Sequence, residues 1–326
     1  MGSTKEYIKA LVHNVKKVLP LKDNLDKIID SEYEKAFEIL DKYIEYIKGE
    51  YGIYDYKKPK LIISEEDSPF IEGYSEIFNY IKVSKPSIER HTDEQLKFLS
   101  SHKKEIEEAM NNQLKSLGYK EIKRSTNDKQ DIEYLIIPYN SIFFYPLYIN
   151  KKNKKTIRSS IEKSIIDLAK YHEIWHSIDR YILRKSKKDP TDPTIKDINN
   201  LNITRKDLDV RATAFQVVMY HLASGLYKDE RAYKAVYANI PICRNYIEEI
   251  DKLEKNKNTE ECVPYELGFC YGNIIVAKYG PSLKENIYKV INDIIHLDKK
   301  RAIDEIKLYG DNPDKLLHDK NSNSVI

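Results

Sequence analysis

Tyr171-His172-Glu173-Ile174-Trp175-His176 is the stretch on which the reading of this chain turns. Residues four apart share one face of a helix, so His172 and His176 can offer two imidazole nitrogens to a single point. Zinc takes such nitrogens at about 2.0–2.1 Å, and a catalytic site keeps one position for water. Glu173 stands beside that face, where a carboxylate can take a proton from the water. The flanking sequence supports the helix. From Ser159 it reads SSIEKSIIDLAKYHEIWHSIDRYIL, with Ile161, Ile165, Leu168, Trp175, Ile178 and Ile182 at three- or four-residue steps or multiples of them. No Gly or Pro interrupts it, and Ser159 or Ser160 is the expected N-cap.

A zinc site needs a further protein ligand, and the next amphipathic segment offers one. Thr204 or Asp207 opens a helix, DLDVRATAFQVVMYHLASG, that Gly225 closes. Near its start stands Asp209-Val210-Arg211-Ala212-Thr213-Ala214-Phe215. With the H-E-x-x-H helix before it, this segment resembles the gluzincin metallopeptidases, in which a second helix carries E-x-x-A-D/N. The resemblance covers roughly residues 159–225. It implies a zinc ligand at Asp209, a small residue at Ala212 and a supporting residue at Thr213. The chain departs from the pattern twice, with Asp in place of the ligand Glu and Thr in place of the supporting acid or amide. Asp207 is a second candidate ligand, and both aspartates also suit a helix N-terminus as charges that complement its dipole.

The resemblance implies a zinc-dependent peptidase: His172, His176 and Asp209 hold zinc, Glu173 activates water, and the substrate is a peptide or protein. Two other readings stay open. One is a zincin-like protein that binds metal or a partner without efficient hydrolysis. The other is a helical interaction protein with a fortuitous motif. His221, Tyr220, Tyr265 and Tyr271 are candidate donors to a transition-state oxyanion. Tyr265-x-x-Gly268 looks like the later helix of several H-E-x-x-H families. Asp179 is a candidate for holding the free nitrogen of a ligand histidine.

The rest of the chain sets the frame. Its 326 residues carry 55 basic and 52 acidic side chains, a net charge of only +3, so no overall field favours nucleic acid. The most apolar stretch, Leu135 to Ile149, contains Pro138, Asn140 and Pro146 and is too short and broken to span a membrane. The N-terminus has no uninterrupted apolar run of the signal-peptide kind. These readings predict a cytoplasmic protein without a membrane partner. Cys243, Cys262 and Cys270 are too few and too spread for a disulfide scaffold; free thiols are expected, with a Cys243–Cys262 bridge as the alternative.

The expected fold class is α+β: zincin-like, mostly helical, with a small mixed β-sheet before the metal-binding helix. The expected division is an N-terminal helical segment over 1–50 and a zincin-like domain over 51–326. Helices are expected at 4–19, 24–48 (ended by Gly49), 92–117 (started by Thr92), 230–255, 264–279 and 282–309. His102 and Glu105 on the third of these are expected to be solvated. Strands are expected at 60–64 and 77–83, with SEEDSPFIEGY as a loop between them. Residues 119–125 and 131–137 are expected to pair, and 141–149 to be extended with an edge at Pro146. Residues 151–155 and 184–200 read as loops.

Overall fold

The first helix, α1 (Lys22–Tyr51), buries Leu25, Ile29, Tyr33, Leu40, Ile44 and Ile47 along one stripe, as the sequence period requires. Gly49 does not end it. The helix runs on to Tyr51, which is buried and donates its hydroxyl to Asn292 Oδ1 at 2.6 Å. That burial outweighs the roughly 1 kcal/mol that a helical glycine costs. The chain leaves the helix at Gly52, whose φ of +62° suits a residue without a side chain. In the computed structural model, residues 22–116, 132–138, 144–150, 157–188, 203–225, 239–248 and 263–312 are described, with single positions at 198, 236 and 315. The helix expected at 4–19 lies outside them, as do strand 119–125, the loop 151–155, nearly all of the expected loop 184–200 beyond Lys188, and much of the segment 230–255. Residues 184–188 of that expected loop are helical instead, because the helix with the histidines runs on to Lys188.

Three short strands follow, β1 (Lys60–Ser64), β2 (Glu72–Ser75) and β3 (Tyr80–Ser84). They form a mixed sheet in the order β1-β3-β2, with β1 parallel and β2 antiparallel to β3. Two expectations are corrected here. Strand β3 starts three residues later than its alternation suggests, because Ile77 and Phe78 belong to the turn, where Asn79 takes φ +49°. Strand β2 comes from the expected loop. Glu72-Gly73-Tyr74-Ser75 has no alternating apolar pattern, and only its pairing with β3 selects it as a strand.

Helix α2 (Lys85–Ser116) starts seven residues before Thr92. Ser84 Oγ accepts from the Ser87 backbone N–H at 3.3 Å, and Pro86 is tolerated in a first turn whose N–H groups have no helical partner. Thr92 sits buried within the helix and caps nothing. The side chains of His102 and Glu105 lie outside the described residues. Strands β4 (Ile132–Pro138) and β5 (Phe144–Asn150) pair antiparallel, with Pro146 opposite Ile136. Among the described residues this ribbon has two strands, so Pro146 lies on an edge, which is where Pro is allowed.

Helix α3 (Ile157–Lys188) carries the two histidines and starts just ahead of the expected serines. Helix α4 (Arg205–Ser224) is capped at Thr204, whose hydroxyl accepts from Asp207 N–H while the Asp207 carboxylate accepts from Thr204 N–H. Gly225 closes it at φ +71°. A helical segment at 239–248 follows, then α5 (Val263–Tyr279). The expected helix at 282–309 is broken. A short 3-10 turn (Gly280–Ser282) precedes α6 (Ile287–Ile295), and α7 (Lys299–Asp311) begins afresh at Asp298, which caps Arg301 N–H at 2.7 Å. Ile287, Ile294, Ile295, Leu297 and Ile306 are buried on both sides of the break, so a straight helix would leave part of this apolar set in water. The whole is mostly helical with a small mixed sheet, an α+β fold.

Among the described residues one hydrophobic core joins the helices α1, α3, α4 and α5. Tyr33 and Ile44 of α1, Trp175 and Ile178 of α3, Phe215 of α4 and Ile274 of α5 belong to it, so residues 22–50 share the core of the helix that carries the histidines. Cys243 and Cys270 are bonded to each other, their Cα atoms 5.5 Å apart. This corrects the expectation of free thiols: sequence spacing says nothing about the packing that sets the 239–248 segment against α5. Cys262 lies outside the described residues.

A fully buried ion pair fixes α3 against α4. Asp179 Oδ1 lies 3.0 Å from Arg211 Nη1, and Arg211 Nε donates to the carbonyl of Leu297 at 2.7 Å. Neither side chain reaches solvent. Asp179→Ala leaves a guanidinium buried without its counter-charge and is expected to cost about 3–5 kcal/mol. Urea denaturation of the variant beside the wild type checks this; a loss below about 1 kcal/mol, the level of an exposed pair, contradicts the buried assignment.

Candidate metal centre

His172 and His176 lie on consecutive turns of α3, and their Nε2 atoms face each other at 3.0 Å. Two lone pairs at that distance repel unless a proton or a cation lies between them. Ligands about 2.0–2.1 Å from a tetrahedral ion stand roughly 3.3–3.4 Å apart, so the spacing is close to what a shared cation requires. His172, Glu173 and His176 each offer a ligand atom within 4.8 Å of the others. Asp209, from the first turns of α4, reaches this set through His176, with Oδ1 3.3 Å from Nε2. The donor set of two imidazoles and nearby carboxylates fits a divalent cation of the zinc type.

The partners of the rings decide which nitrogens are free. His172 Nδ1 lies 3.2 Å from Gln216 Oε1 and 3.4 Å from Thr213 Oγ1. The Gln216 carbonyl can only accept, so Nδ1 carries the proton and Nε2 keeps its lone pair toward His176. Thr213 spends its own proton on the Asp209 carbonyl at 2.8 Å, which leaves its oxygen to accept from the ring. Tyr265 of α5 stacks on His172 with ring centroids 5.6 Å apart and a 26° angle.

Electrostatics separates the two rings. Burial pushes the His172 pKa well down, the nearby His176 adds to this, and the Gln216 hydrogen bond opposes it only in part. Burial also acts against charged His176. The hydrogen bond that His176 donates to Asp209 and the charges of Glu173, Asp209 and Asp179 outweigh it, and the pKa is raised. A neutral and a proton-binding imidazole thus share one short contact. Glu173 is raised above the usual carboxylate range, chiefly by burial, with Asp209 adding to it; His176 and the Tyr74 amide oppose this. A carboxylate shifted this way is a better base near neutral pH.

Glu173 is also held in place. The backbone N–H of Tyr74 on edge strand β2 donates to Glu173 Oε2 at 2.7 Å. The other oxygen, Oε1, is left for a second partner. Beside it on β2, Glu72 keeps both carboxylate oxygens from solvent; burial pushes its pKa well up, and a hydrogen bond with Tyr33 opposes this only in part.

The remaining expected site residues fall elsewhere. Asp207 is a capping residue: it accepts from Thr204 N–H at 2.7 Å and from Lys299 N–H at 2.8 Å, tying α4 to α7. Asp179 is paired with Arg211 and holds neither histidine ring by a hydrogen bond. His221 Nδ1 donates to the Val217 carbonyl at 2.9 Å, Tyr220 is buried, and Tyr271 donates to Glu305 at 3.4 Å. Of the four suggested oxyanion donors, Tyr265 alone touches a ring of the cluster among the described contacts.

Sequence reasoning missed Gln216 and the Tyr74 amide. Gln216 stands seven residues after Asp209 on the same helical face, an uncharged polar residue within an apolar run, and that signal was available. The Tyr74 amide had no signal, because a backbone group carries no residue identity. The chain matches no protein-family model, no curated protein and no solved structure.

Two outcomes follow from this geometry. Asp209→Asn is expected to weaken divalent-metal binding by about tenfold or more, because a neutral amide is the poorer ligand. Asp207→Asn is expected to leave affinity almost unchanged and to lower the melting temperature through the lost cap. Titration with zinc and thermal melting of both variants separate the roles; the reverse pattern moves the ligand to Asp207. Gln216→Leu is expected to weaken metal binding by about 10- to 100-fold by freeing the His172 ring. Unchanged affinity in that variant means that Thr213 alone orients the ring.

Proposed function

We propose that the protein is a zinc-dependent metallopeptidase with a zincin-like arrangement of the gluzincin type, acting on a peptide or protein. The observation that carries this reading is the facing pair of His172 and His176 Nε2 atoms with the carboxylate of Glu173 beside them. His172, His176 and Asp209 would hold zinc. Bound there, zinc would supply Lewis acidity and lower the pKa of a coordinated water to about 7.

The chain's own residues account for the rest. Gln216 and Thr213 fix the tautomer of His172, so its Nε2 faces the site without a proton. The Tyr74 amide holds Glu173 through Oε2, and the raised pKa suits Oε1 to take a proton from the attacking water and return it to the departing amine. Burial of the cluster strengthens each of these interactions relative to water. A reading as a metal-binding protein with weak hydrolysis is favoured by one feature: the shorter Asp209 touches the cluster through His176 alone among the described contacts.

The test separates binding from chemistry. Wild-type protein is expected to carry near-stoichiometric zinc and to cleave a broad peptide library. His172→Ala with His176→Ala loses both. Glu173→Gln keeps the zinc but slows cleavage by about 10²–10⁴-fold. Equal metal content in the double variant removes the site. Cleavage that survives Glu173→Gln undiminished removes Glu173 as the base, and zinc without cleavage in the wild type selects the weak-hydrolysis reading.

A further inference from the structure

The turn between β2 and β3 carries two large apolar side chains in water. Ile77 is 87% and Phe78 71% exposed, and Phe78 stacks on Tyr80 with centroids 6.1 Å apart instead of folding back over the core. The turn is braced. Asn79 Nδ2 donates to the carbonyls of Lys57 and Lys58 at 3.2 and 3.3 Å, and Asn79 Oδ1 accepts from the Tyr74 hydroxyl at 3.0 Å. Tyr54, 75% exposed, lies in the adjoining segment. A rigid convex tip that keeps apolar groups in solvent has no internal reason to do so.

Basic side chains predominate around this tip. Lys57, Lys58 and Lys60 flank it on the chain leading into β1, and Lys185, Lys187 and Lys188 end α3. Two contacts bring the helix end to the same place: Arg180 and Arg184 reach Glu76 of the turn at 3.1 and 3.4 Å, and Gly52 lies against Lys185 Nζ. Among the described residues the acidic groups near it include Glu50, Asp55, Glu76 and Asp41, of which Asp41 is paired with Lys58 and Glu76 with the two arginines.

We propose that this surface docks on an anionic lipid bilayer, with Ile77 and Phe78 entering the headgroup boundary and the lysines meeting the headgroups. Shape and charge both select this occupant. A protruding tip buries little against a flat protein surface but sinks into a deformable one, and excess cations are drawn to anionic lipid. The contact is peripheral: among the described residues no helix is long and apolar enough to cross a membrane. It goes beyond the sequence expectation of no membrane partner, which rested on the lack of a spanning segment. Strand β2 of the same hairpin holds Glu173, so docking would set the histidine helix beside the bilayer.

Vesicle flotation with the full chain tests the proposal, and its readout does not depend on metal or turnover. The probes are vesicles of phosphatidylcholine alone and vesicles with phosphatidylserine added. The wild type is expected to float with the anionic vesicles only and to be released by salt. Ile77→Ser with Phe78→Ser, and separately Lys57→Glu with Lys60→Glu, are each expected to lower binding by about tenfold or more, with unchanged thermal melting. Phe78→Trp supplies a second readout. The chain's single tryptophan, Trp175, is buried, so a blue shift on adding anionic vesicles reports the new one. Absence of wild-type flotation with either vesicle overturns the proposal, as does flotation that survives the serine pair. If vesicles are ignored and the serine pair instead lowers turnover of a protein substrate, the tip is a protein-docking element and the proposal falls.

Discussion

Burying polar side chains is costly unless each finds a partner, and that constraint shapes the centre of this protein. Two imidazoles and a carboxylate lie on one largely buried helix. Their partners come from three other elements: Gln216 and Asp209 from α4, Tyr265 from α5, and the Tyr74 amide from β2. The helices therefore cannot slide past one another without leaving a buried donor or acceptor unpaired. The cluster fixes the relative placement of four elements as much as those elements fix the cluster.

Apolar packing supports the same arrangement at close range. Gly268 and Gly272 of α5 lie where any Cβ would meet α4: at Gly268 it would stand 2.5 Å from the Val210 carbonyl oxygen, and at Gly272 2.7 Å from Val217 Cβ. That approach carries Tyr265, one turn before Gly268, onto His172. On the other side Trp175 stacks on Phe215 with centroids 4.2 Å apart, locking α3 to α4 one residue before His176. The buried Asp179–Arg211 pair lies one turn beyond, so apolar and ionic contacts bracket His176 along α3. The ionic contact adds positional specificity more than net stability, since its desolvation offsets most of its attraction.

The helix carrying the histidines was legible from the chain alone because its two signals are local. A three- to four-residue apolar period and a pair of His four apart both follow from the geometry of one helix. The same holds for the Thr204 cap, the Gly225 stop, and strand β1, whose residues match those expected. Aspartates 207 and 209 were both visible as candidates. Two residues apart on a helix, they point some 200° from one another, so at most one can face His176, and the sequence does not say which.

That choice belongs to the tertiary structure. The rotation of α4 about its axis turns Asp209 toward His176 and Asp207 toward Thr204 and Lys299, and packing against α3, α5 and α7 sets that rotation. Strand β2 depended on β3 for its existence, the break at 296–298 on burying apolar residues from two helices, and the Cys243–Cys270 pair on a neighbour set by folding. Gln216 became a partner of His172 because α4 lies across α3 at that turn. Local geometry determined the helix and its pair of histidines; only long-range packing, which alone can desolvate a group and supply its partner, decided which side chains complete the cluster.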